Sequence, residues 1–594
     1  MTLPDWLRWM AGSSLLTVLT GAGLAESVVV AESSIELPKY VVTDSRPLPK
    51  PERWQYGTIP GFEVLSSASV RDARLVLEDL RLFEEALNVV WPALRGDRVT
   101  PITLVLCGGN HFDSFVPEEV RSQDGRQGLA SLFLERGASS ALVVDMGASV
   151  LTINASGMQS PAMQQFGIMA SGIEIEFSDQ LKRDYVHLLL SRLSPRLPPW
   201  FEEGLAQLLR GMEVSDTRIQ FAKLEDPNEM SFAQAQAIDV ARMNAAEGVE
   251  MALEAPAEDR GFQAALARSR LMGFPELFAV KRDSALARNP VGSAWAKQCY
   301  AFVHLCLYGR GHNYQSGFLK FVARLAKEEP SEQLFKECFG VSYRSMGATL
   351  RGYVNGASYE MMEWRALKGS KGFKGLEPVV LREATQAEVG RIKGETYLIA
   401  GHRERAQVEL VTAYRRGVRA PELLAALGLF EANGGDSAKA VGFLQAAAAQ
   451  KVERADVYLT LARERYQHAA QRAGDGEVFA QEDVLSIASL LTTGERHPAA
   501  TVEIYELLAD TGDRSPAPID VETVKVLVRG SVKFHRRLKL VYQTTRFCAE
   551  VDLRKEAHAL ADYGIENSQS PKAKESFTQL KATLPPLASE ESGS

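Results

Sequence analysis

The 594-residue sequence predicts an α+β domain over about 55–360, followed by an all-α repeat domain over about 387–583. Three observations carry this. Apolar runs of strand length alternate with helical periodicity before residue 177. The pattern is helical from there on. From residue 387 the sequence recurs with a period of 34. The length also exceeds a single ordinary core.

In chain order, residues 1–25 have the form of an export signal. Arg8 leads into W-M-A-G-S-S-L-L-T-V-L-T-G-A-G-L-A, with small Gly23 and Ala25 at the −3 and −1 positions of a cleavage site. A second site follows Ala31. Residues 26–54, Pro-rich and charged over E-L-P-K-Y-V-V-T-D-S-R-P-L-P-K-P-E-R, read as an extended linker. G-F-E-V-L-S-S (61–67), P-I-T-L-V-L-C (101–107) and A-L-V-V-D-M (141–146) read as strands. Residues 69–91 read as an amphipathic helix with Val70, Ala73, Leu77, Leu80, Leu82 and Phe83 as its apolar positions. Helices are expected at 179–193, from Trp200, at 292–308, 314–327 and 331–355. The prolines of P-R-L-P-P (195–199) separate the first two.

In the C-terminal third, residues 387–420 align with 421–454, so Gly394 matches Gly428, Ala406 matches Ala440, Leu410 matches Leu444 and Ala413 matches Ala447. These small and packing positions, with Leu424, Leu427 and Gly428 opening the second unit, resemble the tetratricopeptide repeat, although its Trp is absent. A third unit begins at Ala455. Further helices are expected at 481–493, 499–511, 521–549, 552–566 and 571–583, with a disordered tail over 584–594.

Composition excludes some functions. The net charge of −8 gives no basic face for nucleic acid. No internal apolar stretch is long enough to span a membrane. Five cysteines at 107, 299, 306, 338 and 548 form no disulfide framework; Cys299 and Cys306 read as small hydrophobes in one apolar helix, and one bridge involving Cys338 is compatible with an oxidising compartment.

The chemistry concentrates in D-Q-L-K-R-D-Y-V-H-L-L-L (179–190) and P-P-W-F-E-E-G-L-A-Q (198–207). On a helix, Arg183, Asp184 and His187 share one face. With the P-W-F-E-E-G-L-A string and the flanking α/β segments, the arrangement resembles the gluzincin, or peptidase MA-like, zinc metallopeptidases over about 55–360. In that family an H-E-x-x-H helix supplies two ligands and a general base, and a Glu before Gly on the next helix supplies the third ligand. The resemblance places His187 at the second His and Glu203 at the Glu ligand. Arg183 stands at the first His, and Asp184 at the base.

A guanidinium has only donors and stays charged, so Arg183 cannot ligate a cation. Two ligands remain where catalytic zinc needs three and an open position. Asp184 is also one methylene shorter than Glu, and a misplacement of about 1 Å can cost ~10²-fold in rate. Two placements of Arg183 follow: an internal pair with Glu203 or Asp184, or a side chain in solvent. The expected protein is an exported one, periplasmic or extracellular. It carries a peptidase-like domain without cofactor and a repeat domain for a protein or peptide partner, with neither nucleic-acid binding nor a transmembrane span. The alternative is a divergent active metallopeptidase that holds Zn²⁺ by recruiting a ligand such as His304.

Overall fold

The computed structural model describes residues 37–40, 48, 50–94, 101–121, 129–137, 139–147, 177–193, 196–222, 271–288, 293–356, 361–366, 372–373, 377–474, 476–497 and 499–586. The expected export signal and the last eight residues of the tail lie outside them. The chain divides into two compact units, the first built around Pro51–Thr385 with Glu395–Ala406. The second comprises Gln386–Gly394, Gln407–Ser594 and the segment containing Leu37–Tyr40.

The first unit is a mixed α/β fold. Its strands are β1 (Gln55–Ile59), β2 (Phe62–Ser66), β3 (Ile102–Cys107), β4 (Ser131–Arg136) and β5 (Ser139–Asp145), and α1 (Val70–Val90) connects β2 to β3. β2, β3 and β5 are parallel neighbours, in register Val64↔Leu104 and Leu104↔Leu142. β1 and β4 flank them antiparallel. Ser69 caps α1, its Oγ accepting from the Asp72 N–H at 3.1 Å. Ala73, Val76, Leu77, Leu80, Phe83 and Leu87 recur at helical spacing and are buried. Val70, expected on that face, is instead exposed.

β1 and β4 were not legible as strands. β1 is short and polar and is set by a turn in which Gly61 has φ 80°. β4 is an edge strand whose last two residues are exposed.

α2 (Phe177–Ser191) packs on β4 and β5, and α3 (Pro199–Arg210) packs on α2, followed by the hairpin β6 (Glu213–Ser215) and β7 (Arg218–Phe221). Then come α4 (Phe274–Ala279), α5 (Ala294–Tyr308), α6 (Gln315–Leu325), α7 (Glu332–Phe339) and α8 (Tyr343–Gly356). The helical stretch expected over 331–355 is thus two helices, separated at Gly340, whose φ of 71° only glycine adopts without strain. β8 (Met362–Arg365) joins β7, and β9 (Arg382–Glu383) joins β1, so this unit continues past residue 360. The linker reading also stops short, since Trp54 is 1% exposed and its Nε1 donates to Glu52 at 2.8 Å.

The second unit is all-helical: α9 (Gln386–Ile399) and α10 (Arg403–Arg415), whose facing ends over Glu395–Ala406 group with the first unit, come first, then α11 (Pro421–Ala432), α12 (Ser437–Ala449), α13 (Ala455–Ala473) and α14 (Gln481–Glu495). α15 (Val502–Asp513), α16 (Val521–Lys533), α17 (Leu538–Glu550), α18 (Arg554–Asn567) and α19 (Pro571–Thr583) complete it. The expected helix 521–549 is two, α16 and α17.

The 34-residue period has a packing counterpart. A Cβ on Gly394 would lie 2.6 Å from Leu410 Cγ, and one on Gly428 would lie 2.6 Å from Leu444 Cγ. The same Gly–Leu close approach therefore recurs in consecutive helix pairs. The first residues of the expected tail are engaged: Leu584 is buried, and the Pro585 carbonyl accepts from His558 Nε2 at 2.9 Å. Among the described residues no helix is long and apolar enough to cross a membrane.

Candidate functional site

The site is built by α2 and α3, and most of the P-P-W-F-E-E-G-L-A string serves to hold α3 in place. Pro198 and Pro199 start the helix, since the first turn needs no N–H donor and the proline φ suits it. Trp200 is buried against Phe278 and Phe302, with ring centroids 4.9 and 5.6 Å away. Gly204 has no substitute here: a Cβ would meet Val303 Cγ2 at 2.5 Å and the Cys299 carbonyl at 2.6 Å, so α3 could not approach α5. Gln180 fixes α2 to the sheet, its Oε1 accepting from the Ala130 N–H at 2.8 Å.

This packing brings Arg183, Asp184, His187 and Glu203 together. Arg183 Nε donates to Glu203 Oε1 and Nη2 to Oε2, both at 3.2 Å. Arg183 Nη1 donates to Asp184 Oδ1 at 3.3 Å. Of the partners considered for Arg183, it therefore has both. Glu203 Oε2 also accepts from His187 Nε2 at 2.8 Å, and Oε1 accepts from Gln207 Nε2 at 2.7 Å. A carboxylate accepts about four hydrogen bonds, and Glu203 receives all four while 1% exposed.

The electrostatics follow. Burial alone would raise the Glu203 pKa, but the Arg183 guanidinium and the His187 hydrogen bond hold it well below the usual carboxylate range. Burial raises the Asp184 pKa, and Arg183 only partly offsets that. Ser131 Oγ also lies close enough to Asp184 to lower it, although outside hydrogen-bond geometry.

These residues do not fit a catalytic zinc. The guanidinium plane covers both oxygens of the one acidic ligand, and His187 directs its Nε2–H, not a lone pair, at the same carboxylate. His304, the candidate for a recruited ligand, is buried with both ring nitrogens engaged: Nδ1 with the Tyr353 hydroxyl and Nε2 with the Ala222 carbonyl, each at 2.8 Å. Among the described residues, no group of three or more His, Cys, Asp or Glu is placed to hold a metal ion. The five cysteines are free, and burial pushes the thiols of Cys299 and Cys306 well up.

Three participants were missed in the sequence. Gln207 lies one turn beyond Glu203, a spacing that could have marked it. Arg282 and Arg196 satisfy the other buried acid of the string: Glu202 Oε1 accepts from Arg282 Nη2 at 2.8 Å and from Arg196 Nε at 3.4 Å. Arg282 is 80 residues away in sequence, and no local signal pointed to it. No family model and no curated protein matches the chain.

Proposed function

We propose that the first unit is a peptidase MA-like domain in which an internal cation has replaced zinc, and that the protein works by binding instead of hydrolysis. On this reading the second unit is a tetratricopeptide-like array that takes a protein or peptide partner, and the chain acts in the periplasm or outside the cell. One observation carries the non-catalytic half: the Arg183 guanidinium on both oxygens of Glu203. Such a charge-assisted, bidentate pair supplies the positive charge that Glu203 needs when buried. The helix pair is thereby held without metal. The recurring Gly–Leu approach supports the repeat half.

Elemental analysis of the purified mature chain tests the first half, with zinc expected far below one equivalent. Stoichiometric zinc that is lost in a His187→Ala variant would overturn it. The double substitution Arg183→His, Asp184→Glu removes the internal cation and restores three ligands and a base. It is expected to bind Zn²⁺ where the parent does not. A folded double variant that binds none would reduce the family resemblance to topology. Partner capture by the full chain is expected to survive His187→Ala, and its loss would make α2–α3 the binding centre.

A further inference from the structure

Leu37–Tyr40, part of the stretch that reads as linker, lie against α10, α11 and α12 within the second unit. The Tyr40 ring stacks on Phe443, with centroids 5.9 Å apart and planes 18° from parallel. It meets Tyr414 edge-on at 6.0 Å, and the Lys439 ammonium lies 5.3 Å from its centroid. Its hydroxyl donates to Glu431 Oε1 at 2.6 Å. Glu431 is 5% exposed, and its other oxygen accepts from the Asp436 N–H at 2.9 Å. Two residues earlier, the Tyr414 hydroxyl donates to the Pro38 carbonyl at 2.9 Å. The Pro38 ring rests on Gly442, where a Cβ would come within 2.9 Å of Pro38 Cγ.

The helices thus read a proline ring, a backbone carbonyl and a phenol two residues on. All of these contacts are local to three residues, so any extended chain with proline and tyrosine at that spacing can make them. Burial and the Glu431 hydrogen bond push the Tyr40 phenol up, which keeps it a donor. We propose that this face of α10–α12 is a binding site for an extended Pro-x-Tyr peptide of a partner protein, and that Pro38-Lys39-Tyr40 is its resident competitor. The inference rests on the reading of the second unit as a partner-binding array and names the chemistry of that partner. Phosphotyrosine is excluded, because its added charge of about −1.5 to −2 would face Glu431.

The test uses the full chain with Pro38→Ala and Tyr40→Ala, titrated with a fluorescent peptide of sequence E-L-P-K-Y-V-V. This emptied variant is expected to bind the peptide, and the unsubstituted chain to bind it on the order of tenfold more weakly, since a resident segment of the same chain competes intramolecularly. Adding Gly442→Ala to the emptied variant is expected to abolish binding through the clash with proline. Alanine also favours helix over glycine, so a melting temperature held or raised will distinguish lost binding from lost fold. The phosphorylated peptide is expected not to bind.

No binding to the emptied variant, equal binding with and without the resident segment, or indifference to Gly442→Ala would each overturn the proposal. If the peptide fails while partner capture survives His187→Ala, this inference falls and the proposed function stands. If the peptide binds and His187→Ala abolishes capture, the reverse holds.

Discussion

Glu203 in the first unit and Glu431 in the second are both buried, and the two are satisfied by different kinds of partner. Glu203 receives a guanidinium, an imidazole and an amide from α2 and α3 themselves. Glu431 receives one N–H from Asp436 beside it and a phenol from a separate stretch of chain, 391 residues away in sequence. A partner on an adjacent packed helix cannot leave without unfolding the pair. One on an extended segment can leave while the helices stay folded. Where its donor is anchored thus decides whether a buried carboxylate can release that donor without unfolding the helices around it.

The largest expected effect comes from breaking the first arrangement. Arg183→Met leaves Glu203 buried without its cation, and a stability loss of about 3–5 kcal/mol in denaturant titration is expected. The pH dependence has a definite sign. With its pKa depressed, Glu203 contributes stability that is present above its unfolded value near 4.5 and lost as pH falls through the folded value. Removing Arg183 raises both Glu203 and Asp184, since it lowers each of them now. The deficit should therefore be greatest at neutral pH and shrink as the solution is acidified. A pH-independent deficit would mean that lost packing, not charge, holds α2 against α3.

Next in size is the repeat packing. Gly428→Ala places a Cβ 2.6 Å from Leu444 Cγ, an overpacking expected to cost about 1–3 kcal/mol before an offset of ~1 kcal/mol from helix propensity. Gly394→Ala should match it, because the contact is the same. Unequal losses by thermal melting would show that the two units are not equivalent.

His187→Gln, which trims one of four donors to Glu203 at a partly exposed side chain, is expected to cost only about 1–2 kcal/mol. A loss equal to that of Arg183→Met would make the imidazole, not the guanidinium, the essential partner. The smallest change in global stability is expected for Tyr40→Phe. Its effect should appear as faster proteolysis after Lys39, with the melting temperature nearly unchanged. A large fall in melting temperature would mean that the segment is an integral part of the helical fold and not an exchangeable ligand.

Local patterns in the chain determined a good deal. The parallel strands β2, β3 and β5, the helix α1 and the helices of the second unit follow from apolar periodicity, which local propensity and burial reinforce together. The 34-residue period by itself singles out Gly394 and Gly428. R-D-x-x-H and E-E-G identified the residues of the site, and the spacing of one turn put Arg183, Asp184 and His187 on one face. Only the tertiary structure decided what those residues do to one another. Whether Arg183 faced solvent or Glu203 depended on α3 reaching α2 and α5 closely enough, and the atoms that permit this, at Gly204, Cys299 and Val303, lie on helices far apart in sequence. The docking of Pro38 and Tyr40 was hidden for the same reason, whereas β1, β4 and the break at Gly340 are fixed by tight hairpins and a left-handed glycine, which apolar periodicity does not register. Pro38 and Tyr40 are held by neighbours distant along the chain, and short-range periodicity carries no information about such neighbours.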